Sequence, residues 1–538
     1  MKPTKQHERS ALASEESIVG DSIKAGRTKI QRLGLVAGPC VAAICYLMLP
    51  VAYSDATGQT MDFETAGRAT LAVMAWMATW WLTESIDLSA TALLPLVVFP
   101  LFGIANMVDT AAPYAHPLIF LFMGGFIQAL SMRRWGLDQR IALVTLRLVG
   151  TKPINMVAGF MIVTAVLSAF VSNTATAALM LPIALSVVSL TDNNVRRSRN
   201  KTDAPIQSGV IDRNLTTCLM LGIAYAASIG GVATIIGTPP NVFLVSFLSD
   251  SISEPHRMEM SFARWMLIGV PFAIVFLPIV WLLLTRVIFP IRTTEIKGGK
   301  QLIESEYQSL GPPSRGEWIT FLVFCSTALV WIVRPLLVQI HFDFGDRVIM
   351  PFASLTDSGI AMAGALTLFV IPAGSESRKF VMNWDTANQM PWSILILFGG
   401  GISLAAAVEA NGVAEFMGSQ ARYAAGIPDF ILVLLVCLGI IFLTELTSNT
   451  ATAATLLPVL AALAPGLGVH PYLLIFPAAI AASCAFMLPV ATPPNAIVFA
   501  SGQVTIPQMV KAGIWLNLIA VVLATLLTFL VVAPLMGI

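Results

Sequence analysis

The chain has 538 residues, of which 56% are hydrophobic and only 11% charged, and its formal net charge is +1. A water-soluble protein of this length needs far more charged surface, so the soluble classes are excluded, and near-neutrality gives no basis for a nucleic-acid partner. Its six cysteines lie singly in the sequence, without metal-ligand or redox spacing, and read as packing residues.

In chain order, residues 1–32 are polar and carry Lys2, Lys5, Arg9, Lys24, Arg27, Lys29 and Arg32, and an apolar run at 33–53 follows directly. So long a polar lead-in does not fit a cleaved signal peptide, and its positive charge predicts a cytoplasmic N-terminus. The connection 54–64 is acidic and suits the outer face. Apolar runs of about twenty residues, enough to cross roughly 30 Å of hydrocarbon, follow at 65–84, 88–107 and 115–132. They lead to a basic stretch containing Arg133, Arg134, Arg140, Arg147 and Lys152.

The next apolar stretch, 153–191, is interrupted by Ser172-Asn173-Thr174, and the segment after it is again basic. With both flanks cytoplasmic, 153–191 must enter and leave by one face, which predicts a re-entrant helical hairpin with the triplet at its tip. Further spans are expected at 215–248 (broken at GTPP), 263–289, 316–340, 358–373, 392–408, 471–502 (broken at ATPP) and 509–537. A second hairpin is expected at 428–464, tipped by Ser448-Asn449-Thr450. The predicted fold is an all-α polytopic membrane protein with about eleven transmembrane helices and two re-entrant hairpins.

The sequence repeats itself. SNTATAALMLPIA at 172–184 and SNTATAATLLPVL at 448–460 share nine of thirteen positions. Upstream, Gly124 of FLFMGGF lies 48 residues before Ser172, and Gly399 of ILFGGGI lies 49 before Ser448. Downstream, GTPPN at 237–241 answers ATPPN at 491–495. Those downstream spacings differ by 22 residues, which one polar basic loop at about 192–214 in the first half explains. Three anchors in one order mark a duplicated unit. The units are expected at 65–290 and 316–538, joined by a cytoplasmic linker at 291–315, with 1–32 and 33–64 outside the repeat. Each holds five spans and one hairpin, so the second starts from the opposite face. Inverted repeats with discontinuous helices are the architecture of secondary transporters.

Both motifs break helices at membrane depth, where unsatisfied amides cost several kcal/mol unless protein or water receives them. Ser172 and Asn173, like Ser448 and Asn449, suit helix N-caps, and a helix start presents free N–H groups and partial positive charge. Two such tips facing each other would hold an anion with a carboxylate at each end. The prolines of TPPN remove donors and free carbonyls, which with Ser, Thr and Asn oxygens form a neutral cage suited to an alkali cation. Moving a dianion into a cell negative inside costs roughly 4.6 kcal/mol at 100 mV, from about 2.3 per charge. Two co-transported sodium ions cancel that cost. A single SNT reads as interhelical glue; its pairing with two TPPN breaks favours a site, whereas the GG and GGG runs read as close packing.

These paired motifs resemble the divalent anion:sodium symporter family of di- and tricarboxylate carriers, over residues 65 to 538. The resemblance implies a homodimer in the cell membrane, each protomer having a scaffold and a transport domain that move by an elevator mechanism. It also implies sodium-coupled uptake of succinate, malate, fumarate or related anions, with sodium as coupling ion and no organic cofactor. The family's first sodium site would fall on Ser168, Ser172, Asn173 and Gly237, and the second on Thr444, Thr447, Asn449 and Ala491. The substrate carboxylates would sit against Asn173, Thr174, Asn449 and Thr450, with Thr238 and Thr492 close by. Neutral oxygens throughout favour symport over sodium-independent exchange; citrate and sulfate remain alternatives.

Two charges in apolar surroundings stay open. Glu445 would tune a cation site or be a hydrogen-bonded structural carboxylate, and its counterpart in the first half is Ala169. Arg334 would serve an anion path, a dimer contact or snorkelling. The histidines show no ligand spacing. An intramembrane enzyme lacks its nucleus, since no HExxH, GxSxG or GxGD string occurs, and no Walker A sequence for a pump is present.

Overall fold

The computed structural model describes residues 28–538 apart from 55–58, 151, 200–212, 253, 293–298, 345–346, 375–379 and 422–425. The expectations for residues 1–27, and for most of the basic loop at 192–214, fall outside the described residues. Helix α1, Lys29–Met48, opens with a capping box in which Thr28 and Gln31 satisfy each other's backbone N–H. A two-stranded antiparallel ribbon, β1 (Ala52–Ser54) and β2 (Thr60–Asp62), pairs Tyr53 with Met61.

The first half then runs α2 (Thr65–Thr83), α3 (Leu88–Thr91), α4 (Leu94–Leu101), α5 (Met107–Ala111), α6 (Pro117–Trp135) and α7 (Leu137–Val149). It continues with α8 (Pro153–Ser168), α9 (Asn173–Arg199), α10 (Arg213–Val232), α11 (Pro239–Ser246) and α12 (Phe262–Leu282). A connecting helix α13 (Gly299–Ser309) leads to the second half: α14 (Arg315–Leu337), a ribbon of β3 (Phe342–Phe344) and β4 (Arg347–Ile349), α15 (Asp357–Val370) and α16 (Trp384–Ala387). It ends with α17 (Trp392–Ala410), α18 (Val413–Ala421), α19 (Asp429–Thr444), α20 (Asn449–Leu467), α21 (Pro471–Ala482), α22 (Pro493–Ala500), α23 (Ile506–Leu527) and α24 (Ala533–Met536).

Around the repeated motifs the helix order recurs: α6 to α11 in the first half and α17 to α22 in the second follow one another in the same sequence. Among the described residues, eight helices are long and apolar enough to cross a membrane, from Lys29–Met48 to Ile506–Met536. The other apolar helices have 10–17 residues, and all but Leu88–Leu101 and Asp357–Val370 adjoin an SNT or TPPN break.

The 88–107 segment is not one continuous helix. Its helices α3 and α4 part at Ala92 and Leu93, and the Ala92 carbonyl accepts a hydrogen bond from the Tyr114 hydroxyl. The break lies where α17 crosses: a methyl on Gly400 would collide with the Ala92 backbone. In the other half, a methyl on Gly124 of α6 would stand 2.6 Å from the carbonyl carbon of Ala361 in α15. The glycine runs are thus reciprocal packing contacts, each half clasping the other. They also correct the register, since Gly124 pairs with Gly400 and both precede their SNT by 48 residues.

The basic stretch after α6 also holds structure that its composition hides. Arg140 of α7 is buried and donates to Glu317 of α14 at 2.7 Å, while Arg147 meets Glu304 of α13 at 2.9 Å. Arg334 donates from Nε to the Leu355 carbonyl at 2.8 Å and pairs with Asp357 at 3.3 Å. Asp357 in turn accepts from the Phe262 N–H at 2.9 Å, so this ion pair ties α14 to the starts of α15 and α12.

Candidate functional site

Helices α8 and α9 part at residues 169–172, and α19 and α20 part at 445–448. The start of α9 carries Asn173 and Thr174, with the Ser172 hydroxyl accepting from the Ala175 N–H at 3.3 Å. Asn449 and Thr450 begin α20. The TPPN breaks end the same way: Pro239 and Pro493 open α11 and α22, each preceded by an extended threonine, Thr238 or Thr492. Proline suits a first helical position because its missing N–H would have no partner there.

All four helix starts meet at one cavity of about 550 Å³. Its walls include Ser172, Asn173, Thr174, Gly237 and Thr238 from the first half, and Ser448, Asn449, Thr450, Ala491 and Thr492 from the second. Phe122, Phe126 and Ile394 form an apolar wall contributed by α6 and α17. The one ionisable lining residue among the described residues is Glu84, which ends α2 with φ of 47°. Four helix starts and neutral donors thus face the cavity, without a cationic side chain among its described lining residues, an arrangement that suits an anion.

Behind the first tip, oxygens converge. In the orientation that satisfies it, the Asn173 amide nitrogen donates among them, 2.6 Å from Ser168 Oγ, 3.1 Å from the Ala227 carbonyl and 3.2 Å from the Gly237 carbonyl. Ser168, fully buried, also donates to the Ala227 carbonyl at 2.7 Å. Acceptors crowded together need either N–H donors or a cation between them, and neutral oxygen donors of this kind suit a hard monovalent cation. The cluster also needs glycine: a methyl on Gly237 would collide with the Gly231 carbonyl.

The second half repeats the arrangement. Buried Thr444 donates to Asn449 Oδ1 at 2.7 Å and to the Ala482 carbonyl at 3.2 Å. Thr447 stands apart, its hydroxyl bonded within the hairpin to the Leu443 carbonyl at 3.0 Å and to Thr452 at 2.8 Å. The carbonyls of Ala227 and Ala482 were not legible in the sequence, because any residue carries a carbonyl.

The asparagines of TPPN act as braces through their amide nitrogens. Asn241 Nδ2 lies 3.1 Å from the Gly231 carbonyl, 3.3 Å from Val232 and 2.8 Å from Thr234. Asn495 Nδ2 lies 3.3 Å from the Ala485 carbonyl and 3.0 Å from Leu488. Glu445 braces as well: its carboxylate accepts from the N–H groups of Phe486, Met487 and Leu488 at 2.7, 2.8 and 3.0 Å, and from the Asn517 amide at 2.7 Å. The histidines missed by sequence reasoning are caps: His116 accepts from the Leu118 N–H and His470 from the Tyr472 N–H, both at 3.3 Å.

Duplicated halves, helices broken at the centre, and a cavity built from four helix starts define a membrane transport protein of the secondary-carrier class. Residues 43–538 match the sodium:sulfate symporter transmembrane region. The chain belongs to this family, the divalent anion:sodium symporters, and is a transporter and not an enzyme. It is 39% identical over 509 residues to the sodium-dependent dicarboxylate transporter SdcS of Staphylococcus saprophyticus, covering 94% of this chain and 92% of that one. The SdcS of Staphylococcus aureus strain USA300 is 38% identical over the same shares. Among solved structures, the Alcanivorax borkumensis YdaH transporter shares the fold at a TM-score of 0.56 and 13% identity, over 93% of this chain and 99% of that chain.

Proposed function

We propose that the protein carries a C4-dicarboxylate of the succinate, malate and fumarate class into the cell, coupled to sodium. The convergence of four helix starts on one cavity, with an oxygen cluster behind each SNT tip, carries this reading. The two SdcS relatives, named as sodium-dependent dicarboxylate transporters, support it. One carboxylate would rest on Asn173 and Thr174, the other on Asn449 and Thr450, with Thr238 and Thr492 beside them. One sodium ion would lie among Ser168, Ser172, Asn173, Gly237 and the Ala227 carbonyl. A second would lie among Thr444, Asn449, Ala491 and the Ala482 carbonyl, with Thr447 on its flank.

In the same reading the chain has eleven spans and two re-entrant hairpins, in inverted repeats at 65–290 and 316–538 with a cytoplasmic N-terminus. Two copies form a homodimer in which the hairpins and broken helices move as an elevator against the other helices.

Proteoliposomes loaded with potassium are expected to accumulate labelled succinate only when sodium is outside. Uptake without sodium that instead required internal dicarboxylate would establish exchange. A panel of malate, fumarate, citrate and sulfate in the same vesicles ranks the anions.

A further inference from the structure

Helix α1 lies outside the duplicated halves and rests on α2, burying only Gly34, Gly38 and Ala42. Between them runs a groove of about 340 Å³, walled by Pro39, Ala42 and Tyr46 of α1 and by Thr65, Ala72 and Trp76 of α2. At the helical rise these residues extend it for roughly 10 Å along α1 and 16 Å along α2, a slot shaped for an extended chain. Its walls are almost wholly apolar.

The end formed by Tyr46 and Thr65 is different. Arg68 stands there with its guanidinium carbon 5.2 Å from the centre of the Tyr46 ring. Its Nε is buried without a hydrogen-bond partner, and it makes no ion pair among the described residues. By contrast Arg140, Arg257 and Arg334 each meet a carboxylate. A cation left unpaired at the mouth of an apolar slot is satisfied by a molecule with one negative head and one apolar tail.

The geometry points to an anionic phospholipid seated between α1 and α2, its phosphate on Arg68 and one acyl chain in the groove. The chain supplies the packing that α1 lacks on this side. A zwitterionic lipid offers the same phosphate but brings an ammonium toward the guanidinium, so phosphatidylglycerol is favoured over phosphatidylethanolamine.

Native mass spectrometry of the full-length protein, released from micelles containing equal amounts of the two lipids, tests this. The wild type is expected to retain phosphatidylglycerol preferentially. Arg68→Gln should retain it roughly fivefold less, as for one lost basic contact, whereas Arg68→Lys keeps the preference. Ala72→Phe, which fills the groove, should lose both lipids while the protein still elutes as a single species. Phosphatidylglycerol retention in Arg68→Gln or in Ala72→Phe equal to that of the wild type overturns the proposal. So does retention that ignores the head group, and so does a change of oligomeric state in Ala72→Phe, which would make a second copy of the chain the occupant.

Discussion

The two helix breaks carry the same motif and are held open differently. In the first half, six residues separate Val232 from Pro239, and part of that link is a 3₁₀ turn at Ile235–Gly237. One side chain, Asn241, reaches three of the carbonyls left there. In the second half, ten residues separate Ala482 from Pro493. That longer link turns the N–H groups of Phe486, Met487 and Leu488 toward one carboxylate. Glu445 accepts all three. Breaks that carry the same motif thus share one brace, the TPPN asparagine, and the longer break needs a second, Glu445, to keep its backbone satisfied at a depth where water cannot.

If the halves are equivalent in binding, Asn173→Ala and Asn449→Ala each abolish succinate uptake in proteoliposomes while the protein stays folded and dimeric. Transport retained in one of them would show that a single tip suffices. If the halves differ in bracing, Glu445→Ala is the next largest effect, orphaning three buried amides at about 1–3 kcal/mol each and lowering the unfolding temperature sharply. Asn241→Ala should cost less, about 1–2 kcal/mol, because a carbonyl with a free lone pair is cheaper to leave than an N–H. A larger loss for Asn241→Ala than for Glu445→Ala in thermal unfolding would reverse the ranking.

The smallest effect concerns a cap outside the spans. Burial first, and neighbouring His256 second, hold the His470 imidazole below its ordinary pKa. Folding thus favours the neutral ring, so its contribution is complete above the unfolded value of about 6.5 and is lost as pH falls toward the lower folded value. Protonation of Nδ1 also removes the acceptor for the Tyr472 N–H. The unfolding temperature should therefore drop modestly from pH 7.5 to about 5.5, and His470→Asn, which keeps a capping oxygen, should flatten that drop.

Much of the helix order was legible because apolar runs and helix breakers act locally. The interruptions at SNT and TPPN fall where the sequence placed them, and the duplication follows from spacing alone. What was not legible depended on contacts far apart in the chain. The helix expected at 88–107 is interrupted beneath Gly400, some three hundred residues away in sequence. Arg140, which reads as one of a loop's basic residues, is buried against Glu317. The bracing by Asn241 and Asn495 was not legible either, because an amide suits a cage or a brace equally and only the position of the carbonyls around it shows the brace.

By itself the sequence determined that the chain lives in a membrane, is duplicated, and places the same neutral capping triplet at two breaks. These are properties of composition and local backbone chemistry. Only the tertiary structure decided that the four helix starts share one cavity, that Ala227 and Ala482 add their carbonyls, and that Glu445 braces the second break. Carbonyl groups and buried carboxylates acquire their roles from what folding brings within about 3 Å of them, and no residue code records that distance.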